Sequence, residues 1–159
     1  MKSVVMKLVR GYYIQNFERF VWFVLLSVGF NLLSPAYAKD ANFVTGVVIK
    51  VRDGDTIEVG KVPIRLKGVS APELGEPLGL KSKEFMLDLV MGKQLRCELS
   101  GKKTYDRFVG TCYLGKQDIG AAVVAKGLAL DCPRYSGGRY AEYEDEGVTA
   151  KMKLPKYCK

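Results

Sequence analysis

Residues Phe43 to Val69 read FVTGVVIKVRDGDTIEVGKVPIRLKGV. Val, Ile and Thr dominate, and two breaks, at Asp53-Gly54 and at Gly60-Lys61, divide the stretch into three apolar runs. β-Branched side chains lose rotamer freedom in a helix but pack well on a pleated surface. The stretch is therefore read as three consecutive strands in hairpin order. Within the third, Ile64, Arg65 and Leu66 alternate at period two, so Arg65 points away from the face that buries its neighbours.

Downstream, Gly75 to Gly79 is loop-like with Pro77 between its glycines. Phe85, Met86, Leu89 and Val90 then share one face at helical spacing, and the helix is expected to end near Gly92. Gln94 to Leu99 and Phe108 to Leu114 are two further strands, joined by the basic segment Gly101 to Arg107. Asp118 is a good N-cap for a short helix carrying Ile119, Ala122, Val123 and Ala125, with Gly127 at its stop. Past Asp131 to Arg139, which carries Cys132, Pro133, Tyr135 and two glycines, a charged helix is expected from Tyr140 to Lys153. Five short strands with one helix inserted after the third predict an α+β, mainly β domain, a five-stranded OB-type barrel with about three helices. Barrel closure would also remove exposed strand edges.

Upstream, Lys2, Lys7, Arg10 and Arg19 precede an apolar run from Phe20 to Leu33 and then Ala36-Tyr37-Ala38. That is the order of a secretory signal peptide. The run is shorter than the about 20 residues of a membrane span, so cleavage after Ala38 is expected, leaving 39–159 as the domain. A start at Met6, or retention of residues 1–38 as an anchor, is the alternative. Either places the domain outside the cytoplasm, periplasmic or secreted.

The 159 residues, 48% hydrophobic and 26% charged, suffice for one domain with a real core and no second one. The net charge is +8; without residues 1–38, 21 Lys and Arg face 16 Asp and Glu, a net of +5. A basic surface favours polyanions such as nucleic acid or anionic lipid, although a modest excess also serves solubility. All four cysteines, Cys97, Cys112, Cys132 and Cys158, lie in the domain, where export would oxidise them to two disulfides. Their spacing lacks the close pairs of a zinc site, and the chain has no histidine. Ser/His and Cys/His schemes are excluded with it, so catalysis must use carboxylates, guanidinium groups, lysines, tyrosines or a metal.

Four short segments carry the candidate chemistry. Asp53-Gly54-Asp55-Thr56 sets two carboxylates about a glycine, which can ligate a hard cation or simply make a hairpin turn. Arg65 on an outer barrel face would be merely solvated. Pro72 fixes the turn from which Glu73 projects, and Thr104-Tyr105-Asp106-Arg107 opens the fifth strand. Taken singly, Glu73 and Arg107 read as surface charges.

In combination these segments resemble the staphylococcal nuclease (thermonuclease-like) family of OB-fold phosphodiesterases, over roughly Phe43 to Tyr135. The likeness rests on the ordered set Val51-Arg-Asp-Gly-Asp-Thr-Ile57, Ile64-Arg-Leu66, Val69-Ser-Ala-Pro-Glu73, Tyr105-Asp-Arg107 and Gly127-Leu-Ala129. It implies that Asp55 is a calcium-ligand aspartate, Arg65 and Arg107 bind phosphate, and Glu73 is the general base. Tyr105 and Tyr135 match positions that contact the nucleotide, and nucleic acid is the implied substrate.

The chain departs from that pattern at three places. Ser70 stands where the best-known members have a second ligand aspartate, and Ala71 where a threonine ligates through its backbone carbonyl. Replacing a carboxylate by a hydroxyl removes one charge from the shell, so calcium should bind more weakly unless Asp53 or Glu76 compensates. Asp106 replaces a glycine beside Arg107. On the family alignment Cys97 and Cys112 face inward on neighbouring strands and are expected to bond, leaving Cys132 for Cys158; by cysteine count alone three pairings stand open. The competing function class is a nucleic-acid-binding OB module that has lost turnover through Ser70.

Overall fold

The alternation of apolar residues in the opening stretch does build strands. The computed structural model describes residues 42–145, 147 and 150–159, so the expected leader lies outside the described residues. β1 (Phe43–Val51), β2 (Thr56–Val59) and β3 (Val62–Leu66) follow one another as antiparallel neighbours. Val48, Val51, Ile57, Val59, Ile64 and Leu66 all turn inward. After the short β4 (Val69–Ser70) comes α1 (Gly79–Val90), then the long hairpin of β5 (Gln94–Thr104) and β6 (Arg107–Leu114).

β5 pairs with both β1 and β6, and β6 runs parallel to β3 through Ile64 opposite Phe108. The circuit β1, β2, β3, β6, β5 and back to β1 closes the five-stranded OB-type barrel that the strand count predicts. β7 (Gln117–Asp118) is a short addition beyond β6. In α1, Met86 and Val90 are fully buried, and Phe85 and Leu89 pack against the same core. α2 (Ile119–Ala125) starts where expected, with the Asp118 carboxylate accepting the Gly120 N–H at 2.8 Å and the Ala121 N–H at 3.3 Å. β8 (Leu130–Asp131) pairs with β4, and α3 (Pro133–Ser136) follows directly.

Two expectations fail. The basic segment Gly101 to Arg107 is strand, not connection, up to Thr104: a register shift between Leu99 and Lys103, with Gly101 at a φ of 76°, carries the hairpin on past an irregularity. The charged helix over Tyr140 to Lys153 is, in its described part, a 3-10 turn at Ala141–Tyr143, a helical Gly147 and an irregular stretch after residue 150. Few of its residues bury apolar surface, and a helix needs a packed face more than propensity.

Cys97 bonds Cys112, its register partner across β5 and β6, and Cys132 bonds Cys158. No described helix is long and apolar enough to cross a membrane.

Candidate active site

The turn after β1 carries the first site residues. The Asp53 carboxylate accepts the Asp55 N–H at 3.0 Å, and the Arg52 N–H donates to the Thr56 carbonyl at 2.9 Å, so the loop is locked by its own aspartate. Gly54 lies beneath α1: a Cβ there would overlap the Ser82 hydroxyl and sit 2.7 Å from the Ala71 Cβ. Glycine is required here by packing, and the result drives Asp55 inward until only 2% of it is exposed.

Asp55 is a hub. Its Oδ1 accepts from the Arg65 guanidinium and, at 3.1 Å, from the Thr56 hydroxyl, while Oδ2 accepts the Ala71 N–H at 2.9 Å. Strand register causes this, because Thr56 lies opposite Arg65 across β2 and β3. Arg107, the first residue of β6, donates from Nη1 to the Thr56 Oγ1 at 3.1 Å and from Nη2 to the Thr104 Oγ1 at 3.4 Å. Arg65, Asp55, Thr56 and Arg107 thus form one continuous hydrogen-bonded chain. Burial pulls the Arg65 pKa below the usual arginine value; Tyr157 opposes that, the Arg107 charge reinforces it, and Asp53 and Glu73 oppose it. A guanidinium remains charged at any working pH all the same.

Glu73 is held differently. Its N–H donates to Glu76 Oε2 at 2.9 Å, and the Glu76 N–H donates to the Glu73 carbonyl at 2.8 Å. The start of α1 closes on the same carbonyl, since a Cβ at Gly79 would overlap it. The backbone is fixed while the residue itself is exposed.

Residues 63–153, more than half of the chain, match the model of the staphylococcal nuclease homologue family. The chain belongs to that family. The matched span includes Arg65, Ser70, Ala71, Glu73, Tyr105, Arg107 and Tyr135 and begins beyond Asp55. Among its relatives is a Haemophilus influenzae protein named uncharacterized endonuclease, 35% identical over 127 residues, covering 77% of this chain and 70% of that protein. The micrococcal nuclease of Shigella flexneri is 28% identical over 126 residues, 69% of this chain and 72% of its own. A probable endonuclease LCL3 of Pyricularia oryzae is 28% identical over 107 residues, covering 60% of this chain but 42% of that longer protein.

The two tyrosines singled out by the family pattern stand apart. Tyr105 caps the β5–β6 hairpin, 95% exposed, with a φ of 55° that bulky residues rarely adopt. Its ring lies 5.9 Å from the Arg107 guanidinium carbon. Tyr135 sits on α3, which packs against Gly68; among the described residues no hydrogen bond links it to the Asp55 chain. Asp106 accepts from the Arg52 guanidinium at 2.7 Å, while Arg52 also holds Glu58 at 2.8 Å.

Thr56 links the Asp55 carboxylate to the Arg107 guanidinium, a role that its place in the Asp53-Gly54-Asp55-Thr56 turn does not by itself assign. Its position beside Asp55 and opposite Arg65 was the available signal.

The donor set for a nuclease-family cation is reduced. Among the described residues no group of three or more His, Cys, Asp or Glu is arranged to hold a metal ion. The Asp53 carboxylate is engaged with the Asp55 N–H, and Glu76 with the Glu73 N–H. Each of these carboxylates accepts through one oxygen and keeps the other, while Ser70 is itself buried. Asp55 keeps capacity at Oδ2, whose protein partner is the Ala71 amide, while the Arg65 charge on Oδ1 weakens its pull on a second cation. These residues fit a cation held through one carboxylate, its remaining ligands drawn from water and a substrate phosphate, as hard cations at phosphate sites often are.

Proposed function

We propose that this protein is a nuclease that hydrolyses phosphodiester bonds of DNA or RNA outside the cytoplasm. The observation that carries the reading is the chain from Arg65 through Asp55 and Thr56 to Arg107, which holds two guanidinium groups at one site beside Glu73. Attack of water on a phosphodiester builds negative charge on the phosphoryl oxygens, and preorganised cationic donors stabilise it most where they need not move. Arg65 is tied by Asp55, and Arg107 by Thr56 and Thr104. Each guanidinium can present paired N–H donors to those oxygens.

Glu73 accepts the proton of the attacking water. The oxygen of that water bonds to phosphorus, the ester P–O bond breaks, and the departing oxygen takes a proton from solvent. Calcium is the proposed cofactor: the Asp55 carboxylate would be its one charged protein ligand, Ser70 and the Ala71 carbonyl could add neutral oxygens, and water and substrate would complete the shell. When bound it would neutralise phosphate charge and template the substrate. Tyr105 and Tyr135 are the proposed nucleotide contacts.

The proposed location rests on the leader over residues 1–38, with 39–159 as the mature domain, and both disulfides suit an oxidising compartment.

Incubation of the purified protein with end-labelled single-stranded DNA or RNA, in calcium or in EDTA, tests the reading. Calcium-dependent cleavage that Glu73→Gln abolishes is expected. Oligonucleotide binding without cleavage would favour the second reading, a nucleic-acid-binding OB module, for which the loss of a ligand carboxylate at Ser70 speaks. The cofactor is tested separately by calorimetry without substrate. Ser70→Asp should tighten calcium binding at least about tenfold, as expected when a second carboxylate joins the shell.

A further inference from the structure

The Glu73 loop forms one wall of a cleft of about 310 Å³ whose other wall the catalytic proposal leaves without a role. Ser70, Ala71, Glu73 and Glu76 line one side. The other is formed by the C-terminal tail, through Lys151, Lys153 and Tyr157. The tail is fastened at its end: Cys158, fully buried, is bonded to Cys132, the residue after β8, and β8 is paired with the strand that carries Ser70. Tyr157, one residue before that anchor, is half exposed and is the group that most offsets the effect of burial on Arg65. A covalent bond thus holds an aromatic ring and two lysines across from the candidate base.

We propose that this tail is the second wall of the substrate site. The cleft takes the nucleotide flanking the scissile phosphate, with Tyr157 stacking on its base and Lys151 and Lys153 meeting its phosphate. The inference rests on the phosphodiesterase reading above and assigns that site its tail residues.

Three physical points carry it. Aromatic rings hold single-stranded bases with little regard to sequence, and lysines hold the backbone between them. Glu73 and Glu76 repel phosphate on their own wall, so the anionic part of a nucleotide is directed to the lysine side. The volume lies at the small end of ligand sites, enough for one nucleotide.

The test compares Tyr157→Leu, Tyr157→Trp, Lys151→Ala/Lys153→Ala and the distant exposed Lys116→Ala, all in the full chain. Cleavage kinetics on a labelled single-stranded oligonucleotide are run beside fluorescence binding in EDTA over a range of salt. Tyr157→Leu should raise KM and Kd about tenfold, within the range of base stacking, and Tyr157→Trp should restore them. The double lysine variant should flatten the slope of log Kd against log salt by about 0.7 per lysine lost; Lys116→Ala should leave slope and KM alone. Unchanged KM, Kd and salt slope in tail variants that keep the wild-type Tm would overturn the proposal, as would a wild-type protein that binds no oligonucleotide. If wild type binds but does not cleave and the tail variants weaken that binding, the tail wall stands and the nuclease reading falls.

Discussion

The two parts of the proposed site are built by opposite means. On the barrel side, Asp55, Thr56, Arg65 and Arg107 come from β-strands and one locked turn, and side-chain hydrogen bonds tie each to the next. On the loop-and-tail side, Glu73 is exposed on a backbone held by Glu76 and Gly79, and the tail has no strand partner but one disulfide. Groups that must meet developing charge within a fraction of an ångström sit on the rigid side. The proposed base, Glu73, and the proposed nucleotide-gripping tail share the side built from loops.

The sharpest way to break this contrast is to disturb Glu73 without touching its carboxylate. Gly79→Ala forces a Cβ into the Glu73 carbonyl, and misplacement of a reacting group by about an ångström costs on the order of a hundredfold in rate. Steady-state kcat should fall by about that much. An unchanged kcat would mean that the loop position matters little.

Next in size is Thr56→Val, which keeps the volume and removes the hydroxyl between Asp55 and Arg107. Hydrogen bonds to charged groups contribute about 1.5–3 kcal/mol, so kcat/KM should drop at least about tenfold, with the loss in kcat more than KM.

The two disulfides separate the regions directly. Replacing Cys97 and Cys112 by serine, inside the barrel, should cost about 3 kcal/mol in denaturant unfolding and leave KM near wild type. Replacing Cys132 and Cys158 should destabilise similarly and also raise KM several-fold, because the tail is released. Equal kinetic effects from both pairs would dissolve the distinction.

The smallest effect lies at the barrel rim. The hydrogen bond from Arg52 holds both Glu58 and Asp106 below their usual carboxylate pKa values. A depressed carboxylate adds stability that is present above its unfolded pKa and lost as pH falls through its folded one. Asp106 is exposed and Glu58 half-buried, and solvent screens such rim pairs, so Arg52→Gln should flatten the acid side of the Tm-versus-pH curve only slightly, below about pH 4.

What was legible in the sequence follows the range of the interaction. The strands of the barrel showed in local alternation of Val and Ile, the α2 cap in Asp118, and Asp55, Arg65, Glu73 and Arg107 in the order of short motifs. Thr56 was quoted but not recognised, since its role depends on a strand register. The extension of β5 past Leu99 depends on an irregularity that Gly101 permits, which a polar, basic segment conceals. The helix expected after Tyr140 failed because its charged residues bury too little against the barrel. Tyr157 lines the cleft beside Glu73 only because a disulfide brings the chain end back, and no periodicity records that.

The central claim is that the paired arginines on the barrel stabilise the transition state of phosphodiester hydrolysis. Single-turnover cleavage of a 5′-labelled single-stranded oligonucleotide, at saturating enzyme with calcium, tests it most directly for wild type and Arg107→Ala. The account predicts cleavage by wild type and a rate lower by about a hundredfold in the variant once both are saturated with substrate. Equal rates, or no cleavage by wild type at any enzyme concentration, would contradict it.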